Sequence, residues 1–114
     1  MNLQAFLQKL QQHPDTVEFA DTIAVIEATY AYTPTAFRNG DVENPAGQNA
    51  GSCKIFSFAQ LQGLNEAQTL ACFGKFYRED VLQHPEASDH QNIRNFMRSG
   101  WAGVSFSGEA LKPL

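Results

Sequence analysis

Apolar residues recur at helical spacing through the first quarter of the chain. The pattern LQAFLQKL at residues 3–10 predicts an amphipathic helix. This helix should end before Pro14, because the residue preceding a proline avoids helical backbone angles. A second apolar stripe follows at residues 17–26. Asp15 and Glu18 stand three residues apart at its start, as the two members of a capping box do, so we predict a second helix that Asp15 caps.

The pattern changes from helical to extended between residues 29 and 37. The sequence TYAYTPTAF is aromatic and β-branched, and Tyr30 and Tyr32 fall on one face of a strand. Pro34 lacks an amide donor, so this strand should lie at a sheet edge or stop just before the proline. The segment GVSFSG at residues 103–108 alternates in the same way. It predicts a second strand, antiparallel to the first.

Capping residues predict two further helices in the middle of the chain. Ser52 is placed to cap the apolar stretch KIFSFAQLQ at residues 54–62, and Gly63 is placed to end it. Asn65 with Gln68 resembles a capping box. It predicts a fourth helix that continues to about Gln83.

Ser88 and Gln91 predict the start of a fifth helix. They flank the beginning of DHQNIRNFMRS at residues 89–99, and Gly100 provides the stop. The pattern therefore indicates an α+β fold that is predominantly helical, with about five helices and a small antiparallel two-stranded sheet. No repeat or compositional break divides residues 1–114, so we expect a single domain.

Composition and charge narrow the possible partners. Eight basic and twelve acidic residues give a net charge of -4, which disfavours binding to DNA or RNA. The chain has no basic run and no long apolar stretch, so we do not expect it to bind a membrane. The two cysteines, Cys53 and Cys72, lack the spacing of a zinc site and are too few for a disulfide scaffold. We expect a cytoplasmic protein without a metal or cofactor.

Residues 39–53, NGDVENPAGQNAGSC, form an amide-rich segment between two apolar stretches. Asn and Asp side chains mimic turns, and the three glycines permit positive φ angles. Asp41 and Glu43 could suggest a calcium site, but Ala46 stands where an EF-hand loop requires glycine. We predict that the amide-rich segment is an ordered loop and folds against the last long helix to make a fixed polar recess.

Two residues are candidates for catalysis. Cys53 would lie in the first turn of a helix beside Lys54, where the helix dipole favours a thiolate; a buried, inert thiol is the alternative. His90 would lie near the start of its helix, where the dipole opposes protonation, and could act as a base or as a hydrogen-bonded structural residue.

Candidate binding residues are polar or aromatic. Arg78 and Arg94 have guanidinium groups that bind carboxylate or phosphate oxygens, although ion pairs with nearby acidic residues would satisfy them equally well. We expect a cleft below the amide-rich segment. Its expected lining residues are Tyr32, Asn39, Asn49, Tyr77, His90 and Arg94.

Four blocks of the sequence together resemble one known family. They are YTPTAFRNG at 32–40, NAGSCKIFSFAQL at 49–61, TLACFGKFYREDVLQHP at 69–85 and DHQNIRNFMRSGWAGVSF at 89–106. In this order they are similar to the HopJ-type family, over about residues 15–111. The resemblance implies a bacterial protein related to type III effectors, with no established enzymatic mechanism. It also implies possible export through a type III system into a host cell.

These observations support two classes of function. The first is a small binding or interaction module that recognises a small molecule or a protein in the cleft. The alternative is a small cysteine-dependent enzyme in which Cys53 is the nucleophile and His90 the base. A resident cytoplasmic protein with no effector role, or a plain scaffold, is compatible with the same residues.

Overall fold

Five α-helices, one π-helical segment and five short strands make up the chain, which the computed structural model describes from Met1 to Leu114. The α-helices are α1 (Leu3–Gln12), α2 (Phe19–Thr29), α3 (Ala50–Gln62), α4 (Glu66–Ala71) and α5 (Gln91–Ser99). The π-helical segment is Phe76–Val81, and short 3₁₀ turns occupy Pro14–Thr16 and Gly100–Gly103. The strands are β1 (Tyr30–Tyr32), β2 (Phe37–Asn39), β3 (Val42–Asn44), β4 (Val104–Phe106) and β5 (Leu111–Pro113). The predicted α+β, mainly helical class is confirmed.

The start of α2 differs from the prediction. Pro14 opens a 3₁₀ turn that contains Asp15, so Asp15 does not cap the helix. The capping box is instead formed by Glu18 and Asp21, one turn later. The box predicted at Asn65 and Gln68 is confirmed at the start of α4.

The N-caps of α3 and α5 also differ from the prediction. Asn49 caps α3 in place of Ser52, and His90 caps α5 in place of Ser88. Both caps have left-handed backbones, with φ of 53° and 50°, and neither side chain accepts a hydrogen bond from its own helix. Sequence patterns did not reveal them because a non-glycine residue rarely adopts this conformation.

The helix predicted from residue 65 to 83 is interrupted. Gly74 has a φ of +61°, and a Cβ atom at this position would lie 2.6 Å from the backbone nitrogen of Phe19. Only glycine fits this close approach between the end of α4 and the start of α2. The chain resumes as the π-helical segment, so Tyr77 and Arg78 lie on a wide helical turn.

The strands form two small antiparallel sheets in place of the single predicted one. The predicted strand at residues 29–37 divides at Pro34 into β1 and β2. β1 pairs with β5, which the sequence pattern did not predict, and β2 pairs with both β3 and β4. β4 is antiparallel to β2, which begins at Phe37, the last residue of the predicted first strand, and it does not pair with β1.

Helix α3 lies at the centre of the hydrophobic core. Phe56 and Phe58 are fully buried, and the Phe56 ring packs against the rings of Phe73, Phe96 and Trp101 at centroid distances of 5.5, 5.0 and 6.2 Å. These contacts fix the positions of α3, α5 and the end of α4 relative to one another. No helix is both long enough and apolar enough to cross a membrane.

Candidate functional site

The amide-rich segment is ordered and packs on α5 through asparagine side chains. Asn39 Nδ2 donates to the Asn92 carbonyl oxygen at 2.7 Å and to Asn92 Oδ1 at 3.1 Å. Asn44 Nδ2 donates to the same Oδ1 at 3.1 Å, and Asn92 Nδ2 donates back to Asn44 Oδ1 at 2.9 Å. Asn95 Nδ2 donates to the Asn39 carbonyl oxygen at 3.1 Å. The prediction that this segment folds against the last long helix is therefore correct.

Asn49 connects this network to the start of α3. Its Nδ2 donates to Asn44 Oδ1 at 2.7 Å. We call Asn39, Asn44, Asn49, Asn92 and Asn95 the amide network. All except Asn49 are buried, and buried amides form a stable arrangement only when most of their donors and acceptors are paired. The network therefore fixes the start of α3 relative to the start of α5.

The starts of these two helices border a recess of about 250 Å³. It is lined by residues from α2, α3, the π-helical segment and α5: Phe19, Asn49, Gly51, Ser52, Phe73, Phe76, His90, Asn92 and Ile93. The first amide groups of a helix have no acceptor within the helix, and here no cap side chain supplies one. The recess therefore combines an aromatic wall with unpaired polar groups.

The aromatic wall is built from side chains that contact one another. The Phe19 and Phe76 rings meet edge to face at a centroid distance of 5.0 Å, and the Phe76 and His90 rings lie 5.1 Å apart. Gly51 leaves room for Phe19, because a Cβ atom at residue 51 would lie 2.9 Å from Phe19 Cζ. The size of the recess therefore depends on the absence of a side chain at Gly51.

His90 is held by acidic groups outside the recess. Its Nε2 lies 3.1 Å from Asp80 Oδ2 and 3.8 Å from Asp89 Oδ2. The hydrogen bond from Arg94 to Asp89, 2.6 Å long, lowers the pKa of the Asp89 carboxyl group. Asp89 is thereby kept charged beside the imidazole.

The two candidate arginines are occupied by groups of the protein itself. Arg94 pairs with Asp89 and also donates to the carbonyl oxygens of Asp80 and His84, at 3.3 and 3.0 Å. Arg78 Nη1 donates to the Val17 carbonyl oxygen at 2.8 Å, and Nη2 lies 3.7 Å from Glu18 Oε1. Both guanidinium groups thus brace neighbouring segments, as the ion-pair alternative predicted.

Cys53 lies in a separate environment with Tyr32. Its Sγ is buried and bonds to the Thr35 carbonyl oxygen at 3.5 Å. Burial raises the pKa of the Cys53 thiol despite this bond and the nearby Lys54. Burial and the adjacent Cys53 likewise raise the pKa of Tyr32, whose ring lies 4.8 Å from Lys54 Nζ. No hydrogen bond joins Cys53 to His90.

The structure therefore brings together only some of the predicted residues. Asn49 and His90 line the recess, and Asn39 supports it through the amide network. Arg94 does not line the recess and affects His90 only through its ion pair with Asp89. Tyr32 lies with Cys53, whereas Tyr77 packs against the core and Arg78 braces Val17. None of these three lines the recess.

The sequence pattern did not identify several residues of the recess. Phe19 and Phe76 have the apolar spacing of core residues, and Ser52 was interpreted only as a cap. Asn92 is a polar residue in a polar stretch, and its burial was not visible in the hydrophobic pattern. A larger groove of about 430 Å³ lies along the three-stranded sheet, lined by residues such as Phe37, Arg38 and Phe106, but it contains none of the predicted site residues.

Comparisons with known proteins give one family and one structure. The family model described as HopJ type III effector protein matches residues 3–111. A crystal structure of a protein of unknown function, VPA0580, is 56% identical to the chain. The similarity covers 100% of this chain and 95% of that one, with a TM-score of 0.99. No curated protein matches the sequence.

Proposed function

The chain belongs to the HopJ family, and we propose that it is a single-domain binding module whose ligand occupies the recess between α3 and α5. The observation that carries the proposal is the convergence of four elements on this recess. Phe19 comes from α2, Ser52 from α3, Phe76 from the π-helical segment and Asn92 from α5. Such convergence of aromatic walls and a few polar groups is typical of ligand sites.

The size and lining of the recess indicate the kind of ligand. A volume of about 250 Å³ suits a small molecule or one side chain of a partner protein. Phe19, Phe73 and Phe76 provide an apolar surface, while Ser52 and His90 provide polar contacts. We propose a compact ligand that combines an aromatic or aliphatic body with at least one polar group.

The amide network supports this proposal because it makes the recess rigid. A site that is already formed does not have to be ordered when the ligand binds, so less binding free energy is lost. The left-handed caps at Asn49 and His90 contribute in the same way, since each costs backbone energy that the surrounding contacts must offset. Strained backbone of this kind occurs often at ligand sites.

The contacts of Cys53 give no comparable support to the enzyme alternative. A reactive cysteine needs a thiolate that is accessible and paired with a base. Cys53 is 1% exposed, its bond goes to a backbone carbonyl group, and burial raises its pKa. His90 is paired with Asp80 instead.

The cellular location is a separate part of the proposal. Both cysteines are free and buried, which suits a reducing compartment, and we propose residence in the cytoplasm of the producing cell. The family description raises delivery through a type III system as the alternative. A reporter fusion expressed with and without a functional type III system would distinguish the two. Export that depends on the system would contradict a resident role.

Ligand binding is tested by screening small aromatic and polar metabolites for thermal stabilisation of the protein. Gly51→Ala is the diagnostic variant, because its methyl group would lie 2.9 Å from Phe19 Cζ and so displace the Phe19 ring that lines the recess. Gly108→Ala is the matched control, since its Cβ would lie 3.8 Å from Thr35 Cγ2, an ordinary contact away from the recess. We expect stabilising compounds to lose their effect in Gly51→Ala and keep it in Gly108→Ala. Equal effects in both variants would contradict the proposal.

A further inference from the structure

We infer that His90, in its neutral form, presents an unprotonated Nδ1 to the recess, so that the ligand contributes a hydroxyl or N–H group that donates to it. The inference rests on the proposed function, because it assigns a chemical class to the ligand of the same recess. It also gives Asp80 a role, since this carboxylate would set which ring nitrogen carries the proton. Asp80 would be a positioning residue and His90 the residue that touches the ligand.

The acidic neighbours of the imidazole lie on its Nε2 side. Asp80 Oδ2 is 3.1 Å from Nε2, and Asp89 Oδ2 is 3.8 Å away. A carboxylate only accepts hydrogen bonds, so Nε2 must be the donor in this pair. In a neutral imidazole the other nitrogen then has no proton and is an acceptor. The protein supplies no donor to His90 Nδ1.

The orientation of the ring directs this free nitrogen toward the recess. His90 lines the recess, whereas Asp80 and Asp89 do not. The ring is 29% exposed and is held from three sides, by the left-handed backbone, the Phe76 ring and the Asp80 carboxylate. Because His90 lines the recess while its Nε2 faces the carboxylates, we assign the Nδ1 edge of the ring to the recess.

Two side chains that line the recess, Asn49 and Ser52, can accept from such a ligand. Asn49 uses its Nδ2 for Asn44, which leaves Asn49 Oδ1 as an acceptor. The Ser52 hydroxyl forms no hydrogen bond with the protein and can either accept or donate. The class of ligand that fits is an aromatic or aliphatic molecule with an O–H or N–H group.

The proton position can be measured without a ligand. Imidazole ¹⁵N chemical shifts distinguish a protonated ring nitrogen from an unprotonated one. At a pH where the ring is neutral, we expect His90 to carry its proton on Nε2. We expect Asp80→Ala, which removes the acceptor, to populate the Nδ1–H form. Glu79→Ala removes a neighbouring exposed carboxylate that forms no hydrogen bond and should leave the ring unchanged. A proton on Nδ1 in the unmodified protein, or no response to Asp80→Ala, would overturn the inference.

The ligand class is tested with indole and 1-methylindole, which differ at the N–H group. A lost donor that leaves a buried acceptor unpaired should weaken binding about tenfold. His90→Asn should remove this preference while preserving the backbone, since asparagine tolerates positive φ; its thermal unfolding verifies the fold. Equal binding of the two compounds, or failure of indole to bind, would overturn the ligand class. Compounds from the metabolite screen that still depend on Gly51 would leave the proposed function intact.

Discussion

Replacing Asn92 with alanine tests whether the amide network holds the amide-rich segment on α5. The Asn92 side chain is 7% exposed. Its Oδ1 accepts from Asn39 and from Asn44, both at 3.1 Å, and its Nδ2 donates to Asn44 Oδ1 at 2.9 Å. The substitution therefore removes three side-chain hydrogen bonds between the segment and the helix.

The expected loss of stability follows from these three hydrogen bonds and from the hydrogen bonds that the substitution leaves intact. Each hydrogen bond contributes about 0.5–1.5 kcal/mol net, so three contribute about 1.5–4.5 kcal/mol. Asn39 Nδ2 keeps the Asn92 carbonyl oxygen at 2.7 Å, and Asn44 Nδ2 keeps the Phe37 carbonyl oxygen at 3.3 Å, so neither donor becomes fully unpaired. Alanine also favours the helix by about 0.7 kcal/mol. We expect the free energy of unfolding to fall by about 2–3 kcal/mol.

Urea denaturation followed by Trp101 fluorescence measures this loss. Hydrogen exchange should also show weaker protection of β2 and β3, because the segment is released from α5. Gln91→Ala is the control, since Gln91 is exposed and its side chain donates only to the Ser88 carbonyl oxygen. A loss below about 1 kcal/mol for Asn92→Ala, with unchanged protection of β2 and β3, would contradict a role of the amide network in holding the segment on α5.

Three further predictions concern backbone strain and pH. Gly74→Ala should lower the free energy of unfolding by about 3 kcal/mol or more, because its Cβ would clash with the Phe19 backbone. Gly63 also has a positive φ but lies in open space, so Gly63→Ala should cost only about 1–2 kcal/mol. Urea denaturation measures both losses, and equal losses would contradict the close approach at Gly74. Burial raises the pKa of Cys72 from 9.0 to about 12, so stability should fall as the pH rises through this range. Cys72→Ala should make that decline shallower in urea titrations at several pH values, and an unchanged slope would argue against it. The pKa of Asp89 is lowered from its ordinary value of 3.8, so the charged carboxylate stabilises the fold above pH 3.8. This stabilisation is lost as the pH falls through the lowered pKa. Asp89→Asn should therefore make the unfolding temperature less dependent on pH in acid.

Most helices could be predicted because their signals are local. The spacing of apolar residues, the capping box at Asn65 and Gln68, and the glycine stops at Gly63 and Gly100 each depend on a few neighbouring residues. The end of α4 could not be predicted in this way. Gly74 breaks the helix to let the backbone of Phe19 approach, and this contact joins residues distant in sequence.

The recess was predicted only in outline. Amide side chains and glycines correctly indicated an ordered segment, because Asn and Asp stabilise turns locally. The partners of these amides, such as Asn92 on α5, depend on the tertiary fold and gave no periodic signal. Arg94 and Cys53 were predicted as candidate binding and catalytic residues, but their internal partners, Asp89 and the Thr35 carbonyl group, determine their contacts in the fold.

A crystal structure of the protein with the most stabilising compound from the metabolite screen would show directly whether the ligand occupies the recess. We expect the compound in the recess, against Phe19 and Phe76, with a hydroxyl or N–H group directed at His90. A compound bound instead in the groove of the three-stranded sheet, beside Phe37 and Phe106, would contradict ligand binding in the recess.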